Sequence, residues 1–325
     1  MQDKTPIAVF VYNRPQHTER MLSSLANCSR LSECQIIIFS DAPRIADHNP
    51  AVQEVRSMVR AWARANGAEV VERSENLGLA HSIVGGVTRL CNENGRVIVV
   101  EDDLILHPAF VHFMLSALDH YQDEECVAQV SGYMFPVRHA GTPDAFFLPY
   151  TTSWGWAVWD RAWRLFNWQP DISSLEDTHT QFLFNHGGVT NHAAMLRDCL
   201  AGRNQSWAIL YFWAVFCAEK HVLFPRISLV QNIGFDGSGI HYARRQSIKE
   251  RSLLAYERWL SGRLSNQAAW LGTSKFIWPD KIEICEAAYS RISAYRSARA
   301  DGLISYFKNQ LLTFQNIEGR HEIFR

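Results

Sequence analysis

The sequence lacks a long uninterrupted hydrophobic run and lacks an excess of either charge. No stretch reaches the roughly 18 consecutive apolar residues that a membrane-spanning helix requires. The first residues show no basic region followed by an apolar segment, as a signal peptide would. The formal net charge of −1 is far from the basic excess of nucleic-acid-binding proteins. We therefore expect a cytoplasmic protein with no nucleic-acid partner, which at most rests on a membrane surface.

The cysteines show no pattern of metal binding or disulfide pairing. There are seven of them, scattered and odd in number, and none forms a CxxC pair. A zinc site or a disulfide framework is therefore not expected, and reduced thiols in the cytosol are the simpler interpretation. The sequence also has no internal repeat and no low-complexity tract. Its hydrophobic share of 47% is enough for a sizeable core.

Strand-like and helix-like segments alternate through the first 135 residues. Strands are predicted over residues 6–12, 35–39, 69–72, 96–100 and 126–131. Apolar residues at helical spacing follow each of the first four strands. This alternation predicts right-handed crossovers and a mostly parallel, Rossmann-like central sheet flanked by helices. The expected fold class is therefore α/β.

The most informative stretch is a β-branched run, residues 97–100, that stops on three consecutive acids, Glu101, Asp102 and Asp103. Adjacent carboxylates repel one another, and the carboxyl edge of a buried strand is where open α/β sheets bind ligands. A divalent cation carrying phosphate oxygens would explain the grouping because hard cations prefer oxygen ligands. The alternative is a solvated acidic turn before the next helix. The apolar residues from Leu104 onward predict a helix-like segment.

Polar residues also follow the other three parallel strands. Arg14 follows the first strand, Asp41 the second and Asn76 the third. At a shared sheet edge, Arg14 would suit a diphosphate and Asp41 a nucleobase or ribose. Each residue taken alone is better explained as a turn or a helix cap. Four polar strand ends together indicate a nucleotide site.

The second half of the chain is rich in aromatic residues and then becomes helix-like. Trp154 and Trp156 have ring faces of the kind that stack on sugars, although packing in the core explains them equally well. A glycine-rich loop, residues 234–240, precedes His241 and would suit closure over a diphosphate. An ordinary surface loop is the alternative. Residues 243–325 predict a helical C-terminal extension.

Six motifs follow one another within residues 5–242: Tyr-Asn-Arg-Pro, Ser-Asp-x-Pro, Asn-Leu-Gly-Leu, Val-Val-Glu-Asp-Asp-Leu, Ser-Trp-Gly-Trp and Gly-Phe-Asp-Gly-Ser-Gly-x-His. Their order and spacing resemble a bacterial family-2-like sugar transferase and, more distantly, eukaryotic N-acetylglucosaminyltransferase I. The resemblance implies a GT-A glycosyltransferase domain over residues 1–242, with a nucleotide-sugar-binding half (1–135) and an acceptor half (136–242). It also implies an inverting, metal-dependent hexosyl or N-acetylhexosaminyl transfer in surface polysaccharide or lipopolysaccharide biosynthesis.

The same resemblance implies roles for single residues and partners. The implied donor residues are Arg14, Asp41, Asn76, His81, Glu101 and Asp102, the metal residues are Asp103 and His241, and the acceptor residues are Trp154, Trp156 and Trp207. The metal would be Mn²⁺ or Mg²⁺, the donor a UDP-sugar, and the acceptor a glycan or lipid-linked glycan. Basic residues after position 243 would allow a peripheral contact with the inner membrane, although a solvated helix face explains them as well.

One departure from the family pattern concerns the general base. The N-acetylglucosaminyltransferase relatives place adjacent aspartates before an acceptor-region Trp, whereas Gln205 and Ser206 precede Trp207 here. An inverting transferase needs a group that takes the acceptor proton, so Asp198 joins Asp102 and Asp103 as a catalytic candidate. Two alternatives stay open. One is a non-catalytic carbohydrate-binding or scaffolding protein, and the other is a sugar nucleotidyltransferase, which normally has a glycine-rich basic loop after its first strand.

Overall fold

An eight-stranded mixed sheet forms the centre of the computed structural model, which describes residues 4–137, 143–236 and 275–300. Its strands are β1 (Thr5–Val11), β2 (Cys34–Ser40), β3 (Glu69–Glu72), β4 (Arg96–Glu101), β6 (Val127–Ser131), β7 (Ala145–Leu148), β8 (Trp156–Trp159) and β9 (His221–Pro225). They lie in the order β3-β2-β1-β4-β8-β6-β9-β7. Only β7 and β8 run against the other strands of this sheet. The predicted α/β class with a mostly parallel sheet is confirmed.

Helices cover both faces of the sheet. They are α1 (Pro15–Ala26), α2 (Asn49–Asn66), α3 (Gly78–Asn94), α4 (Phe110–His120), α5 (Asp160–Trp163), α6 (Thr178–Phe184), α7 (His192–Leu200), α8 (Trp207–Cys217) and α9 (Glu286–Ala300). Pro15 opens α1, where its missing N–H costs no hydrogen bond. Gly67 and Gly95 end α2 and α3 with φ of 67° and 73°, a conformation that favours glycine. Both glycines are the helix ends expected from the sequence.

Side chains of each parallel strand alternate between two hydrophobic clusters. Ile7 and Val9 belong to the cluster that also contains buried residues of α1, α2 and α4, whereas Ala8 and Phe10 belong to the cluster that contains those of α3 and of the helices of the second half. Burial on both faces explains why these strands are continuous apolar runs rather than alternating ones.

The residues after the acids form a strand, which corrects the helix-like segment predicted from Leu104. Here β5 (Leu104–Leu106) pairs antiparallel with β10 (Val230–Asn232) in a second, two-stranded sheet. A tripeptide of leucine and isoleucine suits a strand or a helix, and the pairing partner lies far away in the sequence. The pairing places the segment after β10 beside the acids.

The described part of the predicted C-terminal extension forms backbone hydrogen bonds with the edge strand β7 and the residue before it. Backbone N–H of Asp144 donates to the carbonyl of Ile277 (2.9 Å), and Cys285 N–H donates to Phe147 O (3.0 Å). Helix α9 then buries Ile292 and Tyr295 on the α3 face. Within the described ranges no helix is long and apolar enough to cross a membrane. His241 and the basic residues just after position 243 lie outside the described residues, and the predicted domain boundaries stay predictions.

Candidate functional site

The carboxyl ends of β1, β2 and β4 meet at one edge of the sheet. Phe10 of β1 pairs with Glu101 of β4, and Val11 pairs with Ser40 of β2. The residues that follow these positions therefore share an edge, as the sequence predicted. This edge is the starting point for the site because each strand there ends in a polar loop.

Arg14 lies directly against the acids. Its Nη2 donates to Asp102 Oδ1 and, at 3.2 Å, to Asp103 Oδ2, while its Nε lies 3.4 Å from Asp102 Oδ2. Asp102 is only 4% exposed, whereas the Asp103 side chain keeps 17% of its surface accessible. A planar guanidinium that spans two carboxylates forms charge-assisted hydrogen bonds. Arg14 thus offsets part of the negative charge of the triplet.

Burial and repulsion disfavour the ionised forms of Glu101 and Asp102. Burial raises the pKa of Glu101, and the charges of Asp103 and Asp102 raise it further. Burial also raises the pKa of Asp102, against the opposing effect of the Arg14 charge. For Arg14, burial lowers the pKa, but the two aspartates outweigh it and leave the pKa above its ordinary value. An added cation at this point would favour the ionised acids.

The side chains here suit a divalent cation that is held partly by the protein and partly by a substrate. Among the described residues, no group of three His, Cys, Asp or Glu side chains gathers as a complete metal site. Asp103 offers an accessible carboxylate, and Asp102 lies beside it. Mg²⁺ is typically bound through one or two carboxylates plus substrate phosphates, and Mn²⁺ prefers the same oxygen ligands. Asp102 and Asp103 therefore fit an ion whose remaining ligands are substrate phosphates.

The segment after β10 packs on the acids from the other side. Ile233 N–H donates to Asp103 O at 2.8 Å. A Cβ on Gly234 would collide with the Asp103 carboxylate and lie 3.1 Å from Arg14 Nη1, so any side chain at this position would have to displace that carboxylate. Further along, His17 Nε2 lies 3.2 Å from an Asp236 carboxylate oxygen. The sequence marked this loop as glycine-rich, but the close approach of Gly234 to the acids had no sequence signal.

Asp41 organises the beginning of α3. Its Oδ1 accepts from the backbone N–H groups of Ala42 and Leu77, both at 2.9 Å. Its Oδ2 accepts from Gly78 N–H at 2.9 Å and from Asn76 Nδ2 at 3.0 Å. Four hydrogen bonds use the acceptor positions of a carboxylate. The nucleobase contact predicted for Asp41 stays a prediction, and it would require one of these bonds to be exchanged.

Two aromatic residues beside predicted donor residues were given no role by the sequence reasoning. Trp168, 37% exposed, stacks on His81 with ring centroids 4.8 Å apart. Tyr12 accepts a hydrogen bond from Arg44 N–H at 2.8 Å and its hydroxyl lies 2.7 Å from His48 Nδ1. The position of Tyr12 two residues before Arg14 was a usable signal. Trp168 had none, because it is distant in sequence from α3.

The three tryptophans predicted to bind the acceptor occupy different environments. Trp154 is half-buried at the sheet edge, with its ring 4.6 Å from Tyr133 and 5.3 Å from Phe235. Trp156 has no exposed surface and stacks on Trp207, which is 5% exposed, with centroids 5.2 Å apart. Rings buried in this way cannot stack on a sugar. The prediction for Trp156 and Trp207 is therefore corrected to core packing, and that for Trp154 stays open.

Asp198 lies on α7 and is engaged by a neighbour. Its Oδ1 accepts from Arg203 at 2.6 and 2.8 Å, and among the described residues no contact joins it to the acid triplet. Ser206, where the resemblance would place an aspartate, caps α8 by accepting from Ile209 N–H at 3.4 Å. The role of Asp198 as a base stays a prediction.

Comparisons with family models and with curated proteins give no match. Among solved structures, the chain is similar to GalNAc-T7 with UDP, GalNAc and Mn²⁺, at 9% identity and a TM-score of 0.46 over 73% of this chain and 45% of that chain. It is similar to S. aureus TarS in complex with UDP-GlcNAc, at 12% identity and a TM-score of 0.44 over 78% and 66%. It is also similar to the mannosyltransferase PcManGT from Pyrobaculum calidifontis in complex with GDP-Man and Mn²⁺, at 15% identity and 0.37 over 82% and 84%.

These matches cover only part of the solved structures, and their sequence identities are low. The chain spans less than half the length of GalNAc-T7, at 45%, and of a further TarS structure, at 47%. At such identities the likeness concerns the fold alone. The more distant resemblance to N-acetylglucosaminyltransferase I stays a prediction. What is established is an α/β fold with a mostly parallel central sheet, and its assignment to the GT-A glycosyltransferases stays a prediction.

Proposed function

We propose that the chain is a metal-dependent glycosyltransferase that moves a sugar from a UDP-sugar to a glycan or lipid-linked glycan. The observation that carries this proposal is the convergence of Arg14, Asp102 and Asp103 at the carboxyl edge of the parallel sheet. A solvated acidic turn would leave the acids exposed and without a common partner. Instead, Asp102 is 4% exposed and shares a guanidinium with Asp103, as in a site that handles charged ligands.

Each charged residue has a task in this proposal. Asp103 would hold Mn²⁺ or Mg²⁺ through its accessible carboxylate, together with His241 and the donor diphosphate. The metal, when bound, would offset the charge of the departing nucleoside diphosphate. Arg14 would donate to diphosphate oxygens, and Glu101 with Asp102 would accept from donor hydroxyls. Together these groups orient the donor and stabilise its leaving group.

Acceptor binding would use the aromatic residues at the sheet edge. Trp154, braced edge-on by Tyr133 and Phe235, presents a rigid apolar surface that suits a sugar ring. An inverting transfer requires a base for the acceptor hydroxyl, and Asp198 would serve only after leaving Arg203. The proposed setting is surface polysaccharide or lipopolysaccharide assembly at the cytoplasmic face of the inner membrane.

A non-catalytic carbohydrate-binding or scaffolding protein is the second candidate. It is favoured by the residues before Trp207, where Gln205 and Ser206 supply no carboxylate and Ser206 caps α8. A sugar nucleotidyltransferase has less support because Pro15 starts α1 directly after Arg14 and leaves no room for a glycine-rich loop.

Nucleotide binding tests the proposal first. Purified full-length protein is titrated calorimetrically with UDP, GDP and CMP, each with and without Mn²⁺. We expect metal-dependent binding of UDP. Absence of binding to every nucleotide under both conditions would contradict both enzymatic functions.

Slow hydrolysis of a nucleotide sugar separates a transferase from a scaffold. A panel of nucleotide sugars is incubated with the parent protein, the Asp103→Ala variant and the Asp123→Ala variant. Asp123 is an exposed acid before β6, away from the site edge, and serves as the matched control. We expect hydrolysis in the parent and the control but not in Asp103→Ala. Equal hydrolysis by all three proteins would show that Asp103 does not hold the metal.

A further inference from the structure

Arg14 takes the place of a cation in front of the acids. Its Nη2 contacts both Asp102 and Asp103, and Asp103 Oδ2 is bordered on its other side by Gly234. A metal ion approaching that oxygen therefore meets the guanidinium first. Both charges are poorly solvated, because the side chains of Arg14 and Asp103 are only 19% and 17% exposed.

The backbone of Arg14 is fixed while its side chain is long enough to move. Its carbonyl accepts from Thr18 N–H at 3.0 Å and from Thr18 Oγ1 at 2.9 Å, and Pro15 follows it at the start of α1. Only the side-chain torsions are free to carry the guanidinium away from the acids. A guanidinium fork binds carboxylate and phosphate with the same geometry, so a diphosphate bound at this edge would offer it a second anchoring point.

We propose that Arg14 is an internal counter-cation that metal and diphosphate displace together, so that the binding of the two ligands is strongly coupled. This inference rests on the proposed function. Metal alone must break the contacts of Arg14 with both aspartates and leaves a guanidinium beside a divalent ion. When a diphosphate is present, the displaced guanidinium gains an anionic partner. By linkage, the factor by which UDP tightens metal binding equals the factor by which metal tightens UDP binding.

The test measures Mn²⁺ binding rather than activity. Free Mn²⁺ is followed by electron paramagnetic resonance as it is titrated into full-length protein, without nucleotide, with UDP and with inorganic pyrophosphate. The variants are Arg14→Gln, which removes the charge, and Arg14→Lys, which keeps the charge but lacks the planar guanidinium fork. Arg20→Gln makes the same charge change at an exposed position of α1 and is the control.

In the parent and in Arg20→Gln we expect weak Mn²⁺ binding that tightens about tenfold or more with UDP or pyrophosphate. Arg14→Gln is expected to bind Mn²⁺ alone about tenfold more tightly than the parent, since charge-assisted hydrogen bonds no longer have to be broken. It should also bind UDP more weakly in Mn²⁺, so the coupling factor shrinks. Arg14→Lys should lose part of the coupling, and it decides the question if circular dichroism shows that Arg14→Gln is unfolded.

Two failures are distinguishable. If the parent binds no nucleotide with or without Mn²⁺, the proposed function falls and this inference with it. If the parent binds UDP and Mn²⁺ cooperatively but both Arg14 variants keep the parent's coupling factor, only the counter-cation role is overturned. Mn²⁺ binding to Arg14→Gln that is no tighter than to the parent would overturn that role as well.

Discussion

The carboxylate of Asp41 offers a sharp test because the sequence and the structure suggest different tasks for it. Sequence resemblance predicts a nucleobase contact, whereas the structure shows four donors on a side chain of a residue that is 7% exposed. We predict that Asp41→Asn destabilises the protein. The amide keeps one acceptor oxygen, but its NH₂ group faces two of the four donors, for example Gly78 N–H and the Asn76 amide.

The magnitude follows from those two donors. Each donor left without an acceptor costs about 1–3 kcal/mol, so the loss of two should lower the free energy of unfolding by about 2–6 kcal/mol. Asp41→Ala should cost more, because it removes every acceptor, including those of Leu77 N–H and Gly78 N–H at the start of α3. The matched control is Asp47→Asn, an exposed acid in the same loop, for which a change within about 0.5 kcal/mol is expected.

Urea unfolding monitored by tryptophan fluorescence measures the difference, since a stability change moves the midpoint while the slope stays constant. UDP binding is measured on the same samples. An Asp41→Asn variant as stable as the Asp47→Asn control would refute the structural account. If that variant also lost UDP affinity, the carboxylate would have to be a ligand contact.

Three further predictions concern the glycine beside the acids, two tryptophans near the sheet edge and two buried histidines. Gly234→Ala should weaken Mn²⁺ and UDP binding about tenfold or more with little loss of fold, because its methyl group would push the neighbouring carboxylate aside; calorimetry measures this. Trp156→Ala should lower the free energy of unfolding by about 3–5 kcal/mol, whereas Trp154→Ala should mainly weaken acceptor binding; urea unfolding and a glycan binding assay separate the two. Burial lowers the pKa of His186 to about 2 and that of His192 to about 4, below the ordinary value of about 6.5 in the unfolded chain. The stability they contribute is therefore complete above about pH 6.5 and is lost as the pH falls, by up to about 1.4 kcal/mol per pH unit for each histidine. The unfolding free energy measured from pH 7 to pH 5 should fall more steeply in the parent than in His186→Asn.

The first half of the fold was predictable because local signals there agree with one another. Continuous β-branched runs mark strands that are buried on both faces, and glycines such as Gly67 and Gly95 stop the helices between them. Parallel strands share one carboxyl edge, so the meeting of Arg14 with the acids followed from the strand ends. In the second half, local sequence signals did not define the strands. There the strands are short, and β9 finds its partner β6 far away in the sequence.

The site was harder to predict than the fold because side-chain environment depends on tertiary packing. Trp154 and Trp156 stand two residues apart in one motif, yet one is half-buried at the edge and the other is in the core. Strand β8 begins at Trp156, and its pairing with β4 and β6 decides which ring is buried. The fit of Gly234 against Asp103 likewise depends on the β5–β10 pairing.

The pairing of β8 with β4 and β6 argues against independent folding of the proposed nucleotide-binding half, residues 1–135. In the sheet, β8 lies between β4 and β6, with Val99 paired to Trp156 and Val130 paired to Ala157. A fragment ending at residue 135 would leave β4 with a long apolar edge and would detach β6 from the sheet, and such an edge promotes aggregation. We predict that the fragment 1–135 shows no cooperative urea transition, whereas the fragment 1–236, which includes β8, β9 and β10, gains one. A cooperative transition in the shorter fragment would mean that the nucleotide-binding strands are stable without the acceptor half, and the interleaved sheet would then not be what holds the acid edge in place.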